Sequence, residues 1–178
     1  MKDLVRSELI EPREYQIKIA ESASKGNTLV VLPTGMGKTI IALLVAAKRL
    51  KRYPKSKVLI TAPTRPLCAQ HQRTFQKFMK LKEEEIVLVT GKIKRDKRKE
   101  LYEKGRIIVA TPQCIQNDLE RGILTLKDFS LLVIDEAHRS VKHYSYTFIA
   151  KKYMEQSLFP LILGLTASPG GDYSRIRE

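Results

Sequence analysis

Short apolar segments recur along the chain, separated by longer stretches that mix apolar and charged residues. Six segments are rich in Val, Ile and Leu and have the length of a buried strand: 28–32, 57–62, 86–90, 106–110, 130–134 and 161–165. Their apolar residues follow one another without clean alternation, which is typical of parallel strands covered on both faces. The pattern therefore predicts a parallel sheet buried between two layers.

The stretches between these segments predict helices at 12–24, 38–51, 65–80, 112–121 and 141–156. Stretch 38–51 is apolar almost all round, as expected of a helix buried against a sheet. Tyr146, Ile149 and Tyr153 fall on one face of the last helix. Alternating strands and helices predict an α/β fold with a doubly wound parallel sheet, helices on both faces and right-handed crossovers. Ligands of such sheets bind beyond the carboxyl ends of the strands, so we expect the functional residues there.

A glycine-rich loop, residues 32–39, follows the first predicted strand and opens a helix. Its end, Gly37-Lys38-Thr39, matches the Walker A pattern, although Leu32 stands where the first glycine of that pattern belongs. We expect Lys38 to reach the β- and γ-phosphates of ATP and the Thr39 hydroxyl to bind Mg²⁺. The alternative is a tight glycine turn beside a surface lysine. The loop residues predicted to bind ATP are Thr34, Gly35, Met36, Gly37, Lys38 and Thr39.

Two carboxylates, Asp135 and Glu136, follow the apolar segment 130–134. Neighbouring residues of a strand point to opposite faces, but at a strand end the chain turns and both can face a ligand. We expect Asp135 to hold Mg²⁺ and Glu136 to accept the proton of the attacking water, so that the catalytic residues are Glu136, Lys38 and Asp135. The alternatives are acids that stabilise a helix N-terminus, or a metal cluster of Asp135, His138 and His143.

Loop 32–39 together with Asp135-Glu136-Ala137-His138 resembles the superfamily 2 helicases, in which the loop begins with a residue other than glycine. Four further segments are similar to motifs of that family: 12–16 to the adenine-reading element, 61–67 to motif Ia, 111–113 to motif Ib and 166–168 to motif III. Segments 32–39, 109–113 and 164–170 resemble most the archaeal Hef and eukaryotic FANCM family of fork-remodelling motors. Dicer-type and innate-sensor helicases share much of this sequence.

The resemblance implies a RecA-like P-loop NTPase domain of an ATP-dependent DNA helicase or translocase, with ATP and Mg²⁺ as cofactors and DNA, or alternatively RNA, as partner. It implies that Gln16, with Arg13, reads the adenine; the alternative for Gln16 is a solvated helix residue. It also implies contacts to strand phosphates from Pro63, Thr64, Arg65, Thr90, Gly91, Thr111 and Gln113. The resemblance further implies that three residues couple the ATP site to the nucleic-acid strand: His138, Thr166 and Ser168. For the hydroxyls, the alternative is a loop residue that caps the next turn.

The charge of the chain agrees with a polyanionic partner. Lys and Arg outnumber Asp and Glu by 33 to 19, which gives a formal net charge of +14. The alternative is a lysine-rich solubilising surface. The lysine-rich segment 92–99 is a secondary candidate for contact, although a solvated helix face fits it better.

The remaining composition describes an intracellular globular domain. The 178 residues suffice for one domain with a sizeable core. We expect a cytoplasmic protein, because no apolar run reaches the roughly 18 residues of a membrane span and residues 1–10 do not resemble a signal peptide. Cys68 and Cys114 are the only cysteines and form no C-x-x-C pair, which indicates small core thiols.

The resemblance also implies a motor of two RecA-like domains with ATP between them. Motifs IV to VI and an arginine finger belong to the second domain, and nothing in this sequence matches them. We therefore expect the chain to be the first domain alone, cut on its C-terminal side and inactive by itself. Three functions stay open: a DNA-directed motor, an RNA-directed motor of the same superfamily, or a nucleotide- and nucleic-acid-binding module without turnover.

Overall fold

A single parallel sheet forms the centre of the computed structural model, which describes residues 4–33, 37–136 and 143–167, without the side chains of 143 and 144. The six strands are β1 (Thr28–Leu32), β2 (Lys57–Thr61), β3 (Ile86–Val89), β4 (Ile107–Ala110), β5 (Phe129–Asp135) and β6 (Ile162–Ala167). They lie in the order β1-β6-β5-β2-β4-β3, and every pairing is parallel. The predicted α/β fold with a parallel sheet is confirmed.

Helices fill the connections between the strands. They are α1 (Glu14–Ala23), α2 (Lys38–Arg52), α3 (Arg65–Phe78), α4 (Arg95–Lys104), α5 (Pro112–Glu120) and α6 (His143–Gln156), with a short 3-10 helix at Glu83–Glu85. The sequence pattern did not delimit α4, because its ten residues are mostly charged and carry no clear apolar stripe. No helix within the described ranges is long and apolar enough to cross a membrane.

Some predicted ends shift because backbone groups find other partners. Helix α3 ends at Phe78 rather than at residue 80, since Met79 forms an antiparallel bridge with Val5 and the Lys80 N–H donates to the Leu4 carbonyl at 2.6 Å. Strand β6 runs two residues past 165, because it pairs with β1 as far as Leu32.

Alternate strand residues face two separate cores. Val58 and Ile60 of β2 belong to the core under α1, α2 and α3, whereas Leu59 belongs to the core under α4, α5 and α6. Tyr146, Ile149 and Tyr153 of α6 all lie in the second core, as their spacing predicts. The sheet is thus covered on both faces, which explains why its strands are apolar at successive positions.

The carboxyl ends of all six strands share one edge of the sheet, because every pairing is parallel. In order across this edge, the last strand residues are Leu32, Ala167, Asp135, Thr61, Ala110 and Val89. The phosphate loop follows the first of these strands, and the acidic pair lies at the third. The predicted nucleic-acid segments follow the last three strands, β2, β4 and β3. The predicted nucleotide and nucleic-acid residues therefore occupy two halves of the same edge.

Candidate nucleotide and nucleic-acid site

Three charged side chains meet at the end of β5. Lys38 is the first residue of α2, and its Nζ lies 4.0 Å from Asp135 Oδ1 and 4.0 Å from Glu136 Oε2. Glu136 has a φ of 55°, a left-handed conformation that is uncommon for a residue with a side chain. Its N–H donates to Asp135 Oδ1 at 2.9 Å. The chain therefore turns sharply after the strand, and both carboxylates face the ammonium group.

The start of α2 is packed against the predicted adenine-reading element. Gly37 has a φ of 74°, and a Cβ at this position would collide with the Gln16 amide. Gln16 is buried; its Nε2 donates to the Gly37 carbonyl at 3.4 Å, and its Oε1 accepts from the Arg13 N–H at 2.8 Å. Gln16 is thus not a solvated helix residue but a link between α1 and the phosphate loop. Its contact with adenine stays a prediction.

Asp135 is held by residues from two helices. Its Oδ2 lies 2.7 Å from Nε2 of His71 on α3, and its main-chain carbonyl accepts from the Tyr146 hydroxyl of α6 at 3.0 Å. Burial raises the pKa of Asp135, but the hydrogen bond with His71 and the charges of His71 and Lys38 outweigh burial and lower it. The carboxylate is therefore ionised at neutral pH, with Oδ1 directed at Lys38.

His71 is a residue of this site that the motifs and periodicity did not indicate. It is buried, and its Nδ1 has no hydrogen-bond partner among the described residues. The signal lies in the buried stripe of α3, where Cys68, His71 and Phe75 recur at helical spacing and the middle residue is polar. A titratable side chain in the apolar face of a helix needs a partner, and Asp135 is the partner here.

The side chains at this end of the sheet fit a hard cation. Thr39 on α2 and Asp135 carry hydroxyl and carboxylate oxygens, the donors that Mg²⁺ prefers. Asp135 Oδ2 is hydrogen-bonded to His71. Asp135 Oδ1 faces the Lys38 ammonium group, so this oxygen already stabilises a positive charge. Within the described ranges, no group of three or more His, Cys, Asp and Glu side chains could hold a metal by itself. His138 and the side chain of His143, the other members of the cluster considered above, lie outside those ranges.

The residues predicted to contact nucleic acid lie just after the ends of β2, β4 and β3. Thr64 and Arg65 are exposed at the start of α3, after the buried Pro63, and Thr64 Oγ1 accepts from the Leu67 N–H at 3.3 Å. Thr111 precedes α5, and within the described chain its side chain makes no capping hydrogen bond to that helix. Three further candidates are Gln113, which is exposed, half-buried Thr90 and exposed Gly91.

The coupling and loop residues are only partly described. Thr166 is buried in β6, between β1 and β5, and therefore lies between the phosphate loop and the acidic pair. Five candidates lie outside the described residues: Thr34, Gly35, Met36, His138 and Ser168. The lysine-rich segment 92–99 runs into α4, whose lysines are exposed but whose Arg98 is buried.

Known proteins match both the sequence and the fold. A family model for the DEAD/DEAH box helicases matches residues 13–176. A protein of Methanocaldococcus jannaschii that carries the name ATP-dependent RNA helicase is 46% identical over 98% of this chain and 22% of that protein. The Drosophila melanogaster DEAD-box ATP-dependent DNA helicase Fancm is 41% identical over 89% of this chain and 11% of that protein.

The solved helicase domain of Pyrococcus furiosus Hef has the same fold. It superposes with a TM-score of 0.89 at 47% identity, over 98% of this chain and 37% of that one. The chain thus spans well under half the length of each of these proteins. The resemblance to Hef and FANCM seen in the motifs is confirmed. On this evidence, the chain belongs to the DEAD/DEAH box helicase family.

Proposed function

We propose that this chain is the ATP-binding, first RecA-like domain of an ATP-dependent DNA helicase or translocase that processes forked or branched DNA. The observation that carries the proposal is the approach of Lys38 to Asp135 and Glu136, at 4.0 Å each, where a phosphate loop and a strand end meet. The similarity to the DNA helicase Fancm and to the Hef helicase domain supports a DNA motor. Because its proposed partner is DNA, we propose that the protein works inside the cell.

In this proposal the nucleotide binds between α1 and the start of α2. Backbone N–H groups of Thr34 to Gly37 and the ammonium of Lys38 hold the phosphates, and the Gln16 amide, with Arg13 beside it, reads the adenine. Thr39 and Asp135 would hold Mg²⁺, which when bound neutralises charge on the β- and γ-phosphates. Glu136 orients the attacking water and accepts its proton.

Nucleic acid lies across the other half of the same edge. Exposed Thr64, Arg65 and Gln113 support contacts to sugar and phosphate, as does a Thr111 hydroxyl that is not used in capping α5. Thr166, which lies on β6 between the phosphate loop and the acidic pair, carries the coupling together with His138 and Ser168. Contacts of this kind carry no base sequence, so the strand is bound without sequence preference.

RNA is the second candidate partner. One observation favours it: the name of the M. jannaschii relative refers to RNA. Competition between DNA and RNA strands of equal length and composition for the same protein separates the two. A motor for DNA forks holds its DNA in that competition, whereas an RNA motor releases it.

A second RecA-like domain completes the catalytic site in this proposal. The shortness of the chain relative to its matched relatives supports such a domain. That domain would contribute an arginine finger, whose absence costs about 10³ to 10⁵ in rate in comparable phosphoryl-transfer systems. The isolated chain would then behave as the third alternative, a module that binds nucleotide and nucleic acid without turnover.

The test is phosphate release by the isolated chain and by a protein that joins it to its second domain. We expect negligible release from the isolated chain and DNA-stimulated release from the joined protein. Glu136→Gln in the joined protein should abolish turnover and leave ATP binding in place. Brisk release by the isolated chain that disappears in Glu136→Gln would show that no second domain is needed.

A further inference from the structure

One arginine of α4 is buried although the helix around it is charged and solvated. Arg98 is 7% exposed, whereas Arg95, Lys97 and Lys99 on the same helix are exposed. Burying a guanidinium is costly unless every N–H group finds a partner, so its contacts indicate why it is there.

The Arg98 guanidinium joins two segments that lie in different parts of the chain. Its Nε and Nη2 donate to Asp118 Oδ2 and Oδ1 at 3.0 and 2.9 Å, and Asp118 lies on α5 with 1% exposure. Its Nη1 donates to the Ile93 carbonyl at 2.6 Å. Ile93 closes a turn by donating its N–H to the Thr90 carbonyl at 3.1 Å. Arg98 is therefore hydrogen-bonded to the turn 90–93 through one nitrogen and to α5 through the other two.

The two segments that Arg98 joins, the turn 90–93 and α5, belong to the half of the sheet edge that we propose for nucleic acid. The turn 90–93 follows β3 and contains Thr90 and Gly91, and α5 begins directly after Thr111 at the end of β4. Strands β3 and β4 are neighbours, so the turn and the helix start lie side by side. Gly91, Arg98 and Asp118 are among the residues that line one pocket of about 120 Å³.

We propose that Arg98 is a positioning residue that fixes the turn 90–93 relative to α5 and, through that helix, relative to Thr111 at its start, so that both segments can contact phosphates of one bound nucleic-acid strand. The inference rests on the proposed nucleic-acid function. A bidentate arginine–carboxylate pair fixes direction as well as distance, which apolar packing between the same segments would not do. The Tyr102 hydroxyl also donates to Asp118, and this contact holds the carboxylate in the orientation that Arg98 requires.

The chain offers a matched control in Arg49 of α2. Arg49 is also 7% exposed, and its Nε and Nη2 donate to the carbonyls of Ser130 and Phe159 at 2.8 and 2.9 Å. These partners lie at the amino ends of β5 and β6, on the opposite edge of the sheet. Arg49→Lys and Arg98→Lys thus each keep a buried charge and lose the guanidinium fork, but only Arg98 adjoins the proposed strand contacts.

The experiment measures binding of a labelled oligothymidylate to each protein over a salt series, with ADP binding measured alongside as a check of folding. The wild-type protein with about three phosphate contacts should give a slope of log K against log salt near −2. Arg98→Lys should bind the oligonucleotide roughly tenfold more weakly, with a slope shallower by about 0.7, and bind ADP as the wild type does. Arg49→Lys should leave both the oligonucleotide affinity and the slope unchanged.

Unchanged oligonucleotide binding by Arg98→Lys would overturn the inference, and so would an equal loss in Arg49→Lys, which would show a general effect of stability. Asp118→Asn serves as a second variant and should weaken oligonucleotide binding in the same way. If neither Arg98→Lys nor Asp118→Asn binds ADP, the pair only maintains the fold and the inference fails. A wild-type protein that binds no oligonucleotide would instead contradict the proposed function.

Discussion

The hydrogen bond between His71 and Asp135 links a residue of α3 to the carboxylate proposed to hold Mg²⁺. Both side chains are buried, and 2.7 Å separates His71 Nε2 from Asp135 Oδ2. His71→Ala should lower the free energy of unfolding by about 1.5–3 kcal/mol, because a buried charged acceptor loses its partner. Urea unfolding of the wild type and the variant measures the difference. His71→Gln offers a donor of similar reach and should lose less; equal stability of wild type and His71→Ala would contradict this account.

Cys68 and Cys114 should be chemically silent in the folded protein. Cys68 is 1% exposed, and burial raises the pKa of its thiol to about 12. Burial also raises the pKa of Cys114, which lies in the other core. Because the thiolate is the reactive form, iodoacetamide at pH 8 should label neither cysteine in the folded chain and both in denaturant. Mass spectrometry counts the labels, and rapid labelling of the native protein would show that these are not core thiols.

Single residues could be predicted where their role depends on neighbours in the chain. Lys38 follows its glycine directly, and Asp135 with Glu136 ends an apolar segment, so the sequence pattern alone placed them at strand ends. His71 and Asp135 are 64 positions apart, and only the packing of α3 on the sheet joins them. Periodicity marks His71 as buried but does not identify its partner.

Thr64 precedes helix α3 and caps it, and we also propose that it contacts nucleic acid. Thr64 Oγ1 accepts from the Leu67 N–H, and the Thr64 backbone is extended, as expected of an N-cap. Thr64→Ala should lower the free energy of unfolding by about 0.5–2 kcal/mol. Thr64→Ser keeps the hydroxyl and should stay close to the wild type. Chemical denaturation of the three proteins measures these free energies of unfolding. If Thr64→Ser loses as much stability as Thr64→Ala, the methyl group and not the cap is responsible.

The ends of elements were the least predictable part of the fold. Helix α3 stops at Phe78 because Met79 and Lys80 pair with the N-terminal segment, a contact that no local pattern contains. The sequence pattern did not indicate helix α4, because only two of its ten residues, Arg98 and Tyr102, are buried. Burial of so few side chains leaves almost no apolar periodicity to detect.

At the scale of the molecule, the net charge of +14 predicts attraction to nucleic acid. The fold, in turn, predicts where on the surface the nucleic-acid strand binds. Arg65 begins α3 beside the strand ends, and Lys77 lies in the last turn of the same helix. Arg65→Ala should weaken oligonucleotide binding roughly tenfold at low salt and make the salt slope shallower by about 0.7. Lys77→Ala should do neither. Fluorescence anisotropy measures the binding. Equal effects in the two variants would show that positive charge promotes oligonucleotide binding wherever it lies on the surface.

The order of the strands followed from neither periodicity nor composition. The pattern predicted parallel strands, and all six strands are parallel. It also predicted functional residues at their carboxyl ends, and the function of the residues found there stays a prediction. The order β1-β6-β5-β2-β4-β3 depends on long-range pairing, and this pairing places the phosphate loop near the acidic pair with β6 between them. The same order sets the segments after β2, β4 and β3 side by side.

We propose that the chain holds an ATP-type nucleotide through Lys38 at the carboxyl edge of its sheet. The most direct test is calorimetric titration of the 178-residue chain with Mg²⁺ and ADP, beside Lys38→Ala and the exposed-lysine control Lys55→Ala. Loss of a charge-assisted contact worth about 1.5–3 kcal/mol should weaken binding by Lys38→Ala roughly tenfold to a hundredfold. Lys55→Ala should bind as the wild type does. Equal affinity of the wild type and Lys38→Ala would contradict the account.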